Sequence, residues 1–265
     1  MKRWLFLTVA NVLLNYSFYG QNLVPNPSFE IDTSCYDGKT GVSAGDAPPW
    51  NSPTYGSPDL FNSCMFLNHF RIPSNVRGYQ NPHSGEGYSN IVTYGTLGAN
   101  DYREYIQVKL DTTLLFQENY CLSFYVNLSN HYALASNNFG IYFSDTSISY
   151  LNYPTFGCLP LTPQINFTTL ITDTVNWNLI YSQYTANGNE KYMIIGNFYP
   201  NSMTNSIQID SNSSQSFYFI DDINVHCCSC DSTTSLHQGV GELKIRDDEL
   251  LLSPNPATSE LRIKN

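Results

Sequence analysis

Asp221 and Asp222 stand side by side inside SFYFIDDINV (residues 216–225), where every neighbour argues for a buried strand. Read with a period of two, Phe217, Phe219, Asp221, Ile223 and Val225 share one face, and Tyr218, Ile220, Asp222 and Asn224 share the other. That phase aims Asp221 at the core. A bare carboxylate there costs several kcal/mol unless a cation, hydrogen-bond donors or a proton meets it. The segment holds no Lys or Arg. A hard cation such as Ca²⁺, bound by carboxylate and carbonyl oxygens, answers the need. The alternative is a strand-end pair in which Asp221 accepts backbone N–H groups at the rim of a sheet.

Residue types suited to catalysis are present without the spacing that catalysis uses. The histidines (His69, His83, His131, His226, His237) are scattered, and none sits in H-E-x-x-H. There is no G-x-S-x-G elbow around Ser84 in HSGEG, and no phosphate-cradling G-x-x-x-x-G-K-S/T. Glu86, Glu104, Glu118 and Glu190 suit a glycosidase pair by type alone. The expectation is a non-enzymatic chain. The cluster HCCSCD (226–231) lacks two spaced C-x-x-C knuckles, which argues against zinc.

Composition narrows the partners. The formal net charge of −10, with 12 Lys and Arg and no basic cluster, argues against nucleic acid and anionic lipid. Residues 1–20 read as an export signal: Lys2 and Arg3 precede a short apolar run from Trp4 to Leu14, too brief to span a bilayer, and nothing comparable follows. A mature chain starting near Gln21 or Asn22 carries a net charge of about −12. All seven cysteines follow the signal, so disulfides are expected, with at least one thiol left over. Cys35 and Cys64 form a plausible pair within one irregular region; the other pairings stay open.

The elements that must position these groups are strands. After a Pro-, Gly- and Asn-rich stretch to about residue 80, alternation marks 87–94, 103–110, 119–129, 137–144, 177–185, 191–199 and 216–225. Ile106, Val108 and Leu110 oppose Tyr105, Gln107 and Lys109, while Leu122, Phe124, Val126 and Leu128 oppose Cys121, Ser123, Tyr125 and Asn127. This predicts an all-β, two-sheet antiparallel sandwich. A polar linker (227–240) and a short apolar element (241–265) follow. Trp50 reads as a plug over the core.

Three motifs carry a resemblance. NLVPNPSFE (22–30), PHSGEGYSNI (82–91) and YFIDDINV (218–225), in that order, resemble the galactose-binding-like jelly rolls, particularly carbohydrate-binding modules, over residues 22–226. The resemblance implies a structural calcium held by the side chains of Glu30 and Asp221 and carbonyls near Ser28 and Ser84, with Asp222 as an alternate ligand. It also implies a concave sheet face that binds glycan, aromatic rings lying on sugar rings and amides meeting hydroxyls. The outward-phase residues with that chemistry are Gln107, Tyr125, Asn127, Tyr142 and Asn197, with Tyr105 and Tyr199 beside them. Trp177 and Tyr184 are packing residues in the same resemblance.

The tail adds a second one. LLLSPNPATSELRI resembles the opening strand of a type IX secretion C-terminal sorting domain, cut short at Asn265, and the strand wording is similar to surface proteins of gliding bacteria. The chain is thus expected to be secreted or held at the outer cell surface, with the type IX machinery and a glycan as partners. A structural spacer without a small ligand and a polysaccharide hydrolase stand as alternatives.

Overall fold

In the computed structural model each of the alternating segments forms a strand, in the order the pattern predicts. The structure describes residues 20–33, 35, 44–96, 101–150, 157–209, 213–228, 251–252 and 261–262. Residues 1–19 of the expected export signal, most of the linker and the SPNPA turn lie outside the described residues. Two compact units divide the chain, Met1–Ser229 and Cys230–Asn265.

The first unit contains β1 (Leu60–Asn62), β2 (Ser74–Asn75), β3 (Gly78–Tyr79), β4 (Gly87–Gly95), β5 (Ile106–Lys109), β6 (Asn119–Leu128), β7 (Leu134–Ser136), β8 (Phe139–Ser144), β9 (Ile165–Phe167), β10 (Asn178–Thr185), β11 (Tyr192–Gly196), β12 (Ser206–Gln208) and β13 (Gln215–Cys227). One sheet has the order β1-β4-β13-β6-β10 and the other β5-β11-β8-β9, with every pairing antiparallel. The chain moves repeatedly from one sheet to the other, so neighbours in a sheet are distant in sequence. In the second unit β14 (Leu251–Leu252) pairs antiparallel with β15 (Leu261–Arg262). Among the described residues no helix is long and apolar enough to cross a membrane.

The two inner faces make the core. Leu122, Phe124, Val126 and Leu128 of β6 meet Ile106 and Val108 of β5, Ile141 and Phe143 of β8, and Met193 and Ile195 of β11. Burying such side chains contributes about 1.5–3 kcal/mol each. Trp50 caps this core as expected: its indole N–H donates to the Asn26 carbonyl at 2.8 Å, and its ring lies 5.2 Å from that of Phe29. Tyr184 packs too, stacked on Phe143 at 4.8 Å.

Cys35 is joined to Cys64, as their shared region suggested, and Cys121 to Cys228. Cys158 is the free thiol among the described residues. The bridge from β6 to Cys228, with β13 running to Cys227, ties into the sandwich the first two residues read as linker.

Candidate functional site

The paired aspartates form a β-bulge. Asp221 faces Tyr125 of β6 and Asn224 faces Ser123, so Asp222 and Ile223 share the space opposite Phe124. Asp222 takes a φ of +49°, a left-handed value that an aspartate tolerates better than a β-branched residue. The extra residue resets the alternation. Tyr218, Ile220, Ile223 and Val225 point into the core, whereas Phe217, Phe219 and Asp221 point to the outer face. This corrects the expectation that Asp221 shares a core-facing row with Ile223. Asp221 is fully buried, but beneath the 62–87 connection rather than between the sheets.

Burial is met by backbone donors. Asp221 Oδ2 accepts from the N–H groups of His83 (2.8 Å) and Ser84 (3.3 Å), and Oδ1 accepts from Asp222 N–H (2.7 Å). Glu30 Oε1 accepts from the N–H groups of Glu86 (2.8 Å) and Gly87 (3.0 Å). The two carboxylates therefore hold opposite ends of one five-residue loop. Gly85 between them has a φ of +61°, and a Cβ there would displace the Glu30 carboxylate from Glu86 and Gly87, so glycine fits both the backbone and the anchor. Ile223 N–H donates to the Pro27 carbonyl at 3.0 Å, which brings the N-terminal segment alongside.

Asp222 completes this latch. Its Oδ1 accepts from the hydroxyls of Ser28 and, at 2.6 Å, Ser84, and its Oδ2 pairs with His83 Nδ1. Burial, then the Asp222 charge, pushes the Asp221 carboxyl up to about 8. For Asp222 itself burial opposes ionisation, but the two hydroxyls and the imidazole outweigh it and hold the carboxyl below the usual aspartate range. The set is not a nucleophile triad, because the Ser84 hydroxyl donates to the carboxylate and not to the imidazole.

All residues expected at a calcium site thus meet here: Ser28, Glu30, Ser84, Asp221 and Asp222. Their oxygens suit a hard cation. They do not form a three-carboxylate cage, since the acid oxygens of Glu30, Asp221 and Asp222 do not all lie within 4.8 Å of one another. Backbone N–H groups already occupy Glu30 Oε1 and Asp221 Oδ2.

The latch lays His83 over the outer sheet. Its imidazole stacks on the Tyr125 ring with centroids 3.6 Å apart and planes 18° from parallel. The Trp177 edge meets the imidazole at 6.1 Å, and its indole N–H donates to the Asn81 carbonyl at 3.0 Å. Strand register then defines a grid on this face. Asp221, Tyr125 and Leu179 form one row, Asn224, Ser123 and Tyr181 the next, and His226, Cys121 and Gln183 the third. Strands lie about 4.8 Å apart and same-face rows about 6.6 Å apart, so the grid covers roughly 10 by 13 Å. Leu179 (54%) and Tyr181 (52%) are exposed, and Tyr125, Ser123, Asn224 and His226 are half-buried. The Tyr181 hydroxyl accepts from the Gln183 amide at 3.1 Å.

Of the five expected ligand-binding residues, only Tyr125 belongs to this shelf. Asn127 is fully buried and donates to the carbonyls of Asp173 (3.3 Å) and Asn176 (3.0 Å), fixing the turn before Trp177. Gln107 and Tyr142 lie on the other sheet and Asn197 directly after its strand β11, where the outer face is covered. Tyr105, Leu159, Ile194 and Phe198 pack there with Tyr142, Ile148 and Leu161. Gln107 bonds to Asn51, Ser147 and both backbone groups of Ile148, and Asn197 to Thr93, Tyr199 and Thr204. These amides hold the covering segments down, which corrects the expectation that they line an open concave face. Tyr181, Leu179, Gln183, Asn224 and His83 were missed. The outward phase of LIYSQY in β10 was a readable signal for three of them.

No protein-family model matches the chain, and no curated protein matches it. Solved structures with some likeness include the CBM22-1 xylan-binding domain of Xyn10C from Paenibacillus barcinonensis, at 16% identity over 80% of this chain and 97% of that one, with a TM-score of 0.43. The K1 cleaved adhesin domain of Lys-gingipain from Porphyromonas gingivalis W83 has 16% identity over 79% and 100%, TM-score 0.37. TmCBM61, solved with β-1,4-galactotriose, has 14% identity over 78% and 99%, TM-score 0.33. Likeness at this level assigns neither family nor ligand to the chain.

Proposed function

We propose that the sandwich is a non-catalytic glycan-binding module of a secreted or cell-surface protein, and that the glycan lies on the Tyr125–Tyr181 shelf. One observation carries the reading: the register grid puts an exposed tyrosine and leucine, two amides, a serine and the Tyr125 ring capped by His83 on one sheet face. Flat apolar rings bordered by amide and hydroxyl groups match the two surfaces of a sugar, its C–H face and its hydroxyl rim. The described carboxylates beside the shelf accept from backbone and hydroxyl donors, which supports an anchoring role for them over hydrolysis. The export signal and the PNPA tail support delivery to the cell surface, with adhesion as the role.

A calcium ion is the second part of the proposal. Ser28, Ser84 and Asp222 Oδ1 converge, and the ion draws on these oxygens while Asp221 and Glu30 stay as loop anchors. With so few charged ligands the affinity belongs in the 10⁻⁴–10⁻³ M range, roughly that of extracellular modules.

Pull-down on insoluble polysaccharides and glycoproteins, with and without chelator, tests the reading. Retention that Tyr125→Ala and Tyr181→Ala both lose supports the module. Silence across all of them from folded protein supports a structural spacer instead.

A further inference from the structure

A second recognition feature lies away from the shelf, where the irregular 62–80 connection meets the β6–β7 turn. A hollow of about 600 Å³ is lined by Asn68, His69, Arg71, Ser74 and His131, together with Ile72, Pro73, Asn75 and Val76. That volume suits one or two sugar rings. Its walls are held by the backbone: Val76 N–H donates to the His69 carbonyl at 2.9 Å, and Asn62 N–H to the Phe70 carbonyl at 3.2 Å. An isolated bridge between Asn62 and Arg71 adds to this.

The charge in the hollow runs against the rest of the molecule. Acidic residues outnumber Lys and Arg 22 to 12 in the chain, yet no carboxylate lines the hollow. Two other arginines are already used. Arg77 pairs with Asp59 at 2.8 Å and stacks on Phe217, and Arg103 is buried against the carbonyls of Tyr102 and Tyr199. Among the described residues the side chains of Arg71, His69 and His131 make no such bond. Asn75 is already bonded to the Tyr88 hydroxyl, but an unneutralised guanidinium with two imidazoles, a serine and Asn68 around it is a set of donors awaiting an acceptor. A planar oxyanion is what a guanidinium grips with two parallel hydrogen bonds. A protein of this net charge repels free anions at long range, so local donors become selective only when the rest of the ligand adds contacts.

We infer that this hollow binds the acidic group of an anionic glycan, a uronate carboxylate or a sulfate ester, through Arg71 with His69 and His131. The sugar part of this assignment rests on the glycan-binding reading; the anion part does not. Titration calorimetry with glucuronate oligomers, sulfated oligosaccharides, their neutral counterparts and inorganic sulfate, on wild type, Arg71→Gln, His131→Gln and Tyr125→Ala, tests it. The expected result is that Arg71→Gln weakens acidic oligosaccharides at least about tenfold and flattens their salt dependence, while neutral oligosaccharides bind as before. The uronate and sulfate arms identify which oxyanion is preferred. If Arg71→Gln and His131→Gln leave acidic and neutral ligands unchanged, the inference fails while the shelf stands. If neutral ligands never bind but acidic ones need Arg71, the shelf fails and the hollow stands. Inorganic sulfate binding as tightly as the sulfated sugar would overturn the sugar part.

Discussion

The imidazole of His83 lies flat on the ring of Tyr125, 3.6 Å between centroids, because Asp222 and Asp221 hold the loop that carries it. A bulge in the last strand of the sandwich is thereby linked to the shape of the shelf. Without the extra residue at Asp222, alternation would turn Asp221 or the core residues Ile223 and Val225 to the wrong side.

Loosening the latch therefore costs both stability and binding. Asp221→Ala leaves the N–H groups of His83, Ser84 and Asp222 without their acceptor. The expected loss is about 2 kcal/mol, at 1–3 kcal/mol for buried donors left unpaired. Denaturant unfolding reads the stability, and amide exchange at 83–87 reads the loop. Gly85→Ala, forcing a Cβ against Glu30, should open the same loop; normal exchange protection in that variant would separate Glu30 from the latch.

Shelf and cover residues separate cleanly by readout. Tyr125→Ala or Tyr181→Ala should lower glycan affinity about tenfold or more, near 1.4 kcal/mol; Tyr181→Ala should leave stability nearly unchanged, whereas Tyr125→Ala also removes the His83 stack. Gln107→Ala and Asn197→Ala should do the reverse, because each removes a buried hydrogen-bonded amide far from the shelf. The pair of assays is calorimetric titration and thermal unfolding.

Stability should fall as pH rises from about 4.5 to 7 and beyond. Burial, then the Asp59 charge, pushes the Glu104 carboxyl up to about 7, so the folded state keeps a proton that the unfolded chain releases near 4.5. Where the folded state holds more protons, the free energy of unfolding declines with pH, here by up to roughly 3 kcal/mol. Asp221 adds a slope of the same sign. Glu104→Gln should remove the Glu104 share, visible as a flatter profile of unfolding free energy between pH 5 and 8. An unchanged profile would mean that Glu104 is charged in the fold.

Calcium should raise the melting temperature only at millimolar concentration, and Asp222→Asn should abolish the rise. Micromolar binding, or a rise untouched by Asp222→Asn, would move the ion to other ligands. Direct titration followed by melting distinguishes these outcomes.

The strands were readable because each is long, alternating and bounded by polar turns; β4, β6, β10 and β13 lie where the pattern put them. The meeting of Ser28, Glu30, Ser84 and Asp222 with Asp221 was what the resemblance carried by the three motifs implied. Which side of the strand Asp221 occupies was not, since a bulge leaves no mark in a two-residue period. Nor does alternation say whether an outward residue meets water. Gln107 and Asn197 do point away from the core, but the segment after β8 and the turn after β11 cover them. Tyr125 is capped on one side by the His83 imidazole and stays half-buried, whereas Leu179 and Tyr181 of β10 are exposed.

The most direct measurement is a ¹⁵N-resolved titration of the folded module with neutral oligosaccharides of several linkages. The account predicts shifts concentrated at Ser123, Tyr125, Leu179, Tyr181, Gln183 and Asn224, with His83 among them. Shifts confined to the opposite sheet around Tyr142, or none with any oligosaccharide, would contradict it.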